Sequence, residues 1–283
     1  MVRVTTTTES GVRTVTHTTP QPPPALTQQE TIEDLLTQSK RESLPIRKTF
    51  LQSGRGKTTI PGPLATFVSA HDQRGLDAYL IVHALASAKP WNCDYPSGTY
   101  VRALDLGSDA EPASARSAVS KVMGRLEDRG LVKRSRSGRI SSITLLREDG
   151  SGQPYDHPHD QGETWLQLPY SYWTKGWYKK LSLPAKALLL VALSRPDGFV
   201  LPAERGPAWY GISPDSTERG LRELANHGIL DYGQGWTKNQ RSETGWIEQR
   251  QYRLLGDFSA GARKALSAKS KRSRTPSDQG SAS

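Results

Sequence analysis

The chain has little cysteine and no long hydrophobic run, and both absences limit what it can be. Its single cysteine, Cys93, excludes an internal disulfide and a cysteine-based zinc cluster. The longest apolar run, residues 187–193, is far shorter than the roughly 20 residues that a membrane-spanning helix requires. The first residues are polar and lack the apolar segment of a secretory signal. We therefore expect a protein of the reducing cytoplasm that has no membrane partner.

Positive charge is in excess. The 283 residues include 38 Lys and Arg against 28 Asp and Glu, a formal net charge of +10. A surplus of this size favours a polyanionic partner, either nucleic acid or an anionic membrane surface. The length suits two modest domains with tails better than one large core.

Polar segments divide the chain. Residues 1–45 are rich in Thr, Pro and Gln, which predicts disorder, interrupted by a short amphipathic helix near residues 32–36. Residues 149–163 are rich in Gly and Pro and indicate an interdomain linker. The predicted organisation is a disordered region at 1–45, a first domain at 46–149, a linker at 150–163, a second domain at 164–257 and a basic disordered tail at 258–283.

The two segments between these polar regions resemble each other. Their offset falls from 107 at Leu76/Leu183 to 98 at Met123/Leu221, so the first copy has extra residues, predicted within 91–112. Ordered anchors favour a duplicated unit over chance similarity of apolar helices. The anchors are Ile60-Pro61, residues 76–85, Met123, Leu126 and Gly130 in the first copy, and Leu168-Pro169, residues 183–192, Leu221, Leu224 and Gly228 in the second.

The first copy has the pattern of three helices followed by a β-hairpin. Helices are predicted at 76–88, before Lys89-Pro90, and at 100–106. The clearest helix is 115–129, which ends at Gly130. Strands are predicted at 131–134 and 140–146, around a polar turn. The apolar face of the third helix has the spacing i, i+3, i+4, i+7 and consists of Val119, Val122, Met123 and Leu126.

A family resemblance rests on this region. Residues 117–132, SAVSKVMGRLEDRGLV, resemble the recognition helix and first wing strand of many bacterial winged-helix transcriptional regulators. A tandem winged-helix arrangement is also similar to plasmid replication initiators. The resemblance implies a mainly α fold with β-hairpin wings (α+β), in two winged helix-turn-helix domains with disordered tails.

The third helix and its hairpin carry the candidate DNA contacts. Residues 116–147 contain nine basic side chains against two acidic ones, Glu127 and Asp128. A merely solvated helix face is the alternative, but arginines clustered at a hairpin tip favour contact with a DNA groove. Small residues such as Gly124 would allow close approach to the groove floor. The candidates in the first copy are Arg116, Ser117, Ser120, Lys121, Arg125, Arg134, Arg136 and Arg139.

The second copy is less basic. Residues 213–232 have a net charge of −2, and Ser213-Pro214 is a good helix start. Basic and aromatic residues return in the predicted wing, 233–255. Two roles remain open for this copy, contact with DNA through the wing or dimerisation. Six aromatics within 165–178 are expected to pack in the core rather than to stack on bases. The candidate DNA contacts of the second copy are Arg219, Arg222, Lys238 and Arg241.

Other motifs in the sequence do not indicate nucleotide binding, metal binding or catalysis. The segment 54–59, GRGKTT, lacks the first glycine of a P-loop, because that position is Leu51. His157 and His159 lie beside two aspartates in the predicted linker, without a second group of metal ligands. No Ser/His/Asp set or carboxylate pair has a catalytic setting. We expect neither an enzyme nor a bound metal or cofactor.

The sequence therefore predicts a sequence-specific double-stranded DNA-binding protein, most simply a regulator of transcription that occupies an operator. One alternative is a replication initiator of a plasmid or integrated mobile element that binds repeated origin sites. Another is a winged-helix module that binds proteins. The expected partner is double-stranded DNA, a homodimer is left open, and the expected location is the cytoplasm, in association with the nucleoid.

Overall fold

The computed structural model describes residues 23–39, 41–54, 56–107, 111–138 and 140–272, and it has a mixed α+β fold with small antiparallel sheets. The first half contains α1 (Gln28–Gln38), β1 (Ser43–Arg47), β2 (Gln52–Ser53), β3 (Ile60–Pro61), α2 (Leu64–Ser69), α3 (Gln73–Leu85), β4 (Asn92–Pro96), α4 (Ser97–Ala103), α5 (Pro112–Asp128), β5 (Val132–Ser137) and β6 (Ile140–Leu145). The second half contains β7 (Trp165–Pro169), α6 (Ser171–Thr174), α7 (Trp177–Lys180), α8 (Leu183–Leu193), β8 (Phe199–Val200), α9 (Gly206–Tyr210), α10 (Pro214–Asn226), β9 (Leu230–Lys238), β10 (Trp246–Leu254) and α11 (Ala260–Arg272).

The same series of elements occurs in both halves. A buried helix, a short strand, a short helix, a longer amphipathic helix and a hairpin follow one another in each. The two three-stranded sheets have equivalent strand orders, β4-β6-β5 and β8-β10-β9. The extra residues of the first copy lie partly where they were predicted, in the longer β4 and α4 and the segment before α5, and partly in α5 itself, which has 17 residues against 13 in α10.

Two glycines end the amphipathic helices in the same way. Gly130 after α5 and Gly228 after α10 have φ values of 67° and 66°. The next residue in each copy donates its N–H back to the helix, Leu131 to the Leu126 carbonyl and Ile229 to the Leu224 carbonyl. A left-handed residue at this position favours glycine. These helix ends place the first strand of each hairpin at equivalent positions.

One predicted anchor of the repeat is wrong. Leu168-Pro169 was matched with Ile60-Pro61, but Ile60-Pro61 forms β3, which pairs with β2. Leu168 instead lies directly opposite Leu44, because β7 pairs antiparallel with β1. The counterpart of Leu168-Pro169 is therefore Leu44-Pro45, and the first copy begins earlier than residue 46. Both leucines are fully buried, so this two-stranded sheet joins the two halves inside the core.

The predicted short helix near residues 32–36 is present as the longer α1, and the predicted disorder is wrong for residues 28–38 and 43–45. Helix α1 buries Ile32, Leu35 and Leu36, and Thr27 and Glu30 form a capping box at its start. The apolar residues of this helix are few but lie on one face, so they can be buried although the average composition is polar. Residues 1–22 lie outside the described residues.

The segment 150–163 is not an exposed linker. Tyr155 and His157 are buried, and two acids of the segment, Asp156 and Glu163, bind the fully buried Arg47. Glu148, also fully buried, binds the same guanidinium at 2.6 Å. Burial opposes the charge on Arg47, but the three carboxylates raise its pKa above the ordinary value. Ion pairs that composition cannot reveal thus hold a Gly- and Pro-rich segment against β1.

The predicted disordered tail, 258–283, is also partly wrong. Helix α11 covers Ala260–Arg272, and Phe258 before it is buried. Arg263 donates to the Leu193 carbonyl at 2.7 Å, and Ser267 donates to Gln167 at 2.9 Å. These bonds fix the helix beside the end of α8 and strand β7. Residues 273–283 lie outside the described residues.

The core runs continuously through both halves. Helix α3 buries most of its residues, and α8 buries nearly all of its residues, as their all-round apolar sequences predict. Their neighbours α5 and α10 bury only one face. In the described ranges, no helix has the combination of length and apolar character needed to cross a membrane.

Candidate nucleic-acid interface

Helix α5 has the apolar face that its spacing predicts. Val119, Val122, Met123 and Leu126 are buried, which confirms the predicted face. Ser117 and Lys121 are exposed on the opposite side, and Arg116 and Ser120 are exposed along the edge of the apolar face. The helix therefore presents two cations and two small hydroxyls to solvent on its first turns.

The hairpin β5–β6 places its arginines toward this helix. Arg134 and Arg136 alternate with residues of the outer face and share the side of buried Val132. Between α4, α5 and the hairpin lies an open cleft of about 410 Å³. Its floor is apolar, formed in part by Val119, Met123 and Ile143, and its rim includes Arg116, Ser120, Arg134 and Arg136.

Arg134 joins the hairpin to the helix. Its Nε donates to Glu127 at 2.7 Å and its Nη1 donates to the Ser120 carbonyl at 3.1 Å. The guanidinium lies over Gly124, 3.7 Å from the position of a Cβ there. Arg134 thus covers Gly124 at ordinary contact distance, and the expectation that Gly124 faces a groove floor is wrong. Arg134 holds the shape of the cleft and retains Nη2 for a ligand.

Arg125 does not belong to the exposed face. Its Nε and Nη2 donate to the two oxygens of Asp72 at 2.9 and 2.8 Å, and Arg129 adds a third bond at 2.8 Å. Burial alone would raise the pKa of Asp72, but these bonds and the Gly75 amide lower it to about 2. Arg125 therefore holds α5 against the start of α3 and is not available for the DNA contact that its position predicted.

The candidates of the second copy form a group of their own. Arg219 and Arg222 are exposed on α10, and Arg219 lies 3.9 Å from Asp215. Lys238 ends β9 and Arg241 lies in the hairpin turn, both exposed. The start of α10 is confirmed, since the Ser213 hydroxyl accepts from the Ser216 amide with Pro214 in the first turn. This group combines cations with more acids than the group on α5.

Burial shows the position of the aromatic and histidine candidates, and one basic candidate lies outside the described residues. Arg139 falls outside the described residues. Tyr170, Tyr172, Trp173 and Tyr178 are buried, which confirms their predicted packing, whereas Trp165 and Trp177 are half-buried. The ring of His157 is buried and lies near those of Trp91 and His159. Within the described ranges no group of three or more His, Cys, Asp or Glu could hold a metal ion.

Sequence patterns do not indicate the acids that fix the arginines around the cleft. Glu127 and Asp72 were counted as charge or passed over, yet they fix Arg134 and Arg125 respectively. The Glu127 pair spans seven residues across a turn, and the Asp72 pair spans 53. Only the packed structure brings such partners together. Only the Glu127 pair could be anticipated, because Glu127 lies beside the apolar face of α5 and close in sequence to the hairpin.

Comparisons of the chain with protein-family models, with curated protein sequences and with solved structures find no match.

Proposed function

We propose that the protein binds double-stranded DNA through α5 and the hairpin β5–β6, as the first of two winged-helix domains. The observation that carries this proposal is the exposed polar surface of α5. Arg116 and Ser120 stand at the rim of an arginine-lined cleft, and Ser117 and Lys121 are exposed farther around the helix. A helix of this width fits the major groove, and arginine and lysine suit guanine edges and phosphates.

The charges of this face are available to a ligand. Arg116 and Lys121 have no hydrogen bond or ion pair to any described residue. Arg136 bonds only the Gly138 carbonyl of its own turn, at 2.9 Å. Cations without an acidic partner, beside a cleft with an apolar floor, attract an anionic strand. Arg125 does so much less, because Asp72 already neutralises its charge. In this arrangement α5 enters the groove and the hairpin contacts the adjacent backbone.

The repeated topology supports the winged-helix interpretation. Each half has a helix, a second helix and an amphipathic third helix, followed by a hairpin that pairs with a preceding strand. This is the element order that the sequence resemblance implies. The second copy adds a weaker contact to the duplex or holds the protein in position, since α10 carries Asp215 and Glu218 beside its arginines.

Fluorescence anisotropy of the full chain with labelled duplexes, preceded by selection from a random duplex library, tests the proposal. Each phosphate contact contributes about −0.9 to the slope of log affinity against log salt. Lys121→Ala and Arg136→Ala together should weaken binding at moderate salt and make this slope shallower. Lys264→Ala on α11 is the matched charge control and should have a much smaller effect. Unchanged affinity and slope in the double variant would refute duplex binding at this site and favour the protein-binding module.

The biological role follows from the arrangement of the bound sites. We propose a regulator that acts by occupying an operator. Footprinting on the source DNA should then protect a promoter palindrome. Protection of a series of repeated sites would instead assign the protein to replication initiation. A replication initiator would use the same contacts between α5, the hairpin and the duplex.

A further inference from the structure

The hairpin of the second half, β9–β10, has an exposed aromatic face. The register pairs Tyr232 with Tyr252 and Lys238 with Trp246, so four alternate rows, from 232/252 to 238/246, place their side chains on one face. Three large rings on this face are open to solvent, with exposed fractions of 50% for Tyr232, 64% for Trp236 and 45% for Trp246. Large apolar side chains exposed together mark an interaction site.

These rings are held in place but not covered. Tyr232 lies 6.0 Å from Tyr252, which stacks on Phe199 at 5.5 Å, so the base of the face is anchored in the core. In the described part of the chain, neither Trp236 nor Trp246 contacts another aromatic ring. Trp236 thus remains open to a stacking partner, and the Lys238 ammonium lies beside the exposed Trp246 ring, on a hairpin that is paired over nine rows.

Cations accompany the rings. The Lys238 ammonium lies 5.6 Å from the Trp246 ring, and the Arg250 guanidinium lies 4.7 Å from the Tyr232 ring. One acid, Glu248, shares the face, opposite Trp236. The face thus pairs stacking surfaces with two positive charges, the combination that binds unpaired bases and their phosphates.

The corresponding face of the first hairpin has a different chemistry. Val132 and Leu230 occupy equivalent positions after the helix ends, so Arg134 corresponds to Tyr232. Arg136 corresponds to Gln234, so both arginines of the first copy that lie toward α5 are absent from the second, which carries aromatic rings farther along the same face. Arginines suit phosphates, whereas exposed indoles suit base faces, which are covered by neighbouring base pairs within a duplex.

We infer that the aromatic face of β9–β10, formed by Tyr232, Trp236 and Trp246 with Lys238 and Arg250, binds single-stranded nucleic acid by stacking on its bases. This site is separate from the duplex site of α5 and goes beyond it. A second copy of the chain fits less well as the occupant. Four rows on two strands cover about 20 by 10 Å, about 200 Å², well below the roughly 800 Å² per partner of a stable interface.

Anisotropy of the full chain with labelled oligo-dT and oligo-rU of about 12 nucleotides tests the inference. Trp236→Ala and Trp246→Ala should each weaken single-strand binding about tenfold, because each removes one stacking surface. Trp236→Phe and Trp246→Phe should retain most of it. Thr237→Ala, on the opposite face of β9, is the control and should leave it unchanged. Comparison of the two oligonucleotides shows whether deoxyribose or ribose strands are preferred.

The duplex assay separates this inference from the proposed function. The two tryptophan variants should keep duplex affinity, and Lys121→Ala with Arg136→Ala should keep single-strand affinity. Single-strand binding that is absent at moderate salt, or that survives both tryptophan-to-alanine changes, overturns the inference. So does sedimentation velocity in which the wild type dimerises and Trp236→Ala is a monomer, because the face would then bind another copy.

Discussion

Lys186 and Asp77 form an ion pair between α8 and α3, and they thereby join the two halves of the chain in the core. The Lys186 ammonium lies 2.6 and 2.7 Å from the two carboxylate oxygens, and its side chain is 1% exposed. Burial lowers the pKa of Lys186 and raises that of Asp77, and each charge partly offsets the effect on the other. Removal of one partner leaves the other charge in the core.

Lys186→Met should therefore destabilise the protein by about 3–5 kcal/mol. Urea unfolding followed by circular dichroism measures the change. The double variant Lys186→Met with Asp77→Leu is the control and should regain most of the lost stability, since no unpaired charge remains. A loss that is equal in the single and double variants would show that packing, not the uncompensated charge, is what Lys186 provides.

Helix α1 should contribute to global stability. Ile32→Ala removes a buried side chain and should cost about 2–5 kcal/mol in the same unfolding experiment. Asp34→Ala, an exposed position on the same helix, should change stability by less than about 0.5 kcal/mol. Equal, small effects at both positions would mean that α1 does not pack on the core in solution.

Asp72 should make stability depend on pH in strong acid. Its pKa is about 2 in the folded protein against a reference value of 3.8, so the stabilisation is complete above about pH 4. It is lost as the pH falls from about 4 to 2, because the unfolded chain takes up the proton first. The contribution is about 2 kcal/mol, and Asp72→Asn should remove it. Urea midpoints measured between these pH values should then show a shallower slope for Asp72→Asn than for the wild type.

His83 should make stability depend on pH nearer neutrality. Burial, together with Arg41 and Arg47, lowers its pKa well below 6.5, so the folded protein holds it neutral. The unfolded chain binds a proton below about pH 6.5, and the free energy of unfolding should then fall by up to about 1.4 kcal/mol per pH unit. His83→Leu should flatten this slope between pH 6.5 and 5. A slope that persists unchanged in the variant would assign the proton uptake to another group.

Asp128 should weaken the proposed DNA contact. It is an exposed acid at the end of α5 with a free carboxylate near the expected phosphate path. Asp128→Asn should raise duplex affinity about two- to fivefold at low salt, with the effect shrinking as salt screens the charge. Asp34→Asn on α1 makes the same charge change elsewhere and should have little effect. Lower affinity in Asp128→Asn would argue against α5 facing the duplex.

Local patterns predicted the elements around the candidate site. The spacing of Val119, Val122 and Leu126 and the glycine at 130 are sufficient to place α5 and the hairpin, because both depend on neighbours in the chain. The average composition of the two chain ends predicts disorder, although α1 and α11 form there. The capping box from Thr27 to Glu30 is a local signal for α1 that the Thr- and Pro-rich context obscures.

Long-range ion pairs could not be predicted from the sequence. Arg125 has the position of a DNA contact on a helical wheel, and only its proximity to Asp72 on another helix shows otherwise. The same holds for Arg47, whose acidic partners lie more than a hundred residues later. Charge counts treat both residues as free surface cations, whereas Arg125 is held by Asp72 and Arg47 is fully buried.

The pairing of β1 with β7 has a consequence for synthesis on the ribosome. Ser39 and Tyr170, which are hydrogen-bonded beside these strands, are 131 positions apart. At translation speeds of about 5–20 residues per second, β1 emerges on the order of ten seconds before its partner strand exists. Until then the nascent first half exposes Leu44 and Ile46, residues that are fully buried in the finished protein. We therefore expect ribosome-associated chaperones to bind the nascent chain during that interval.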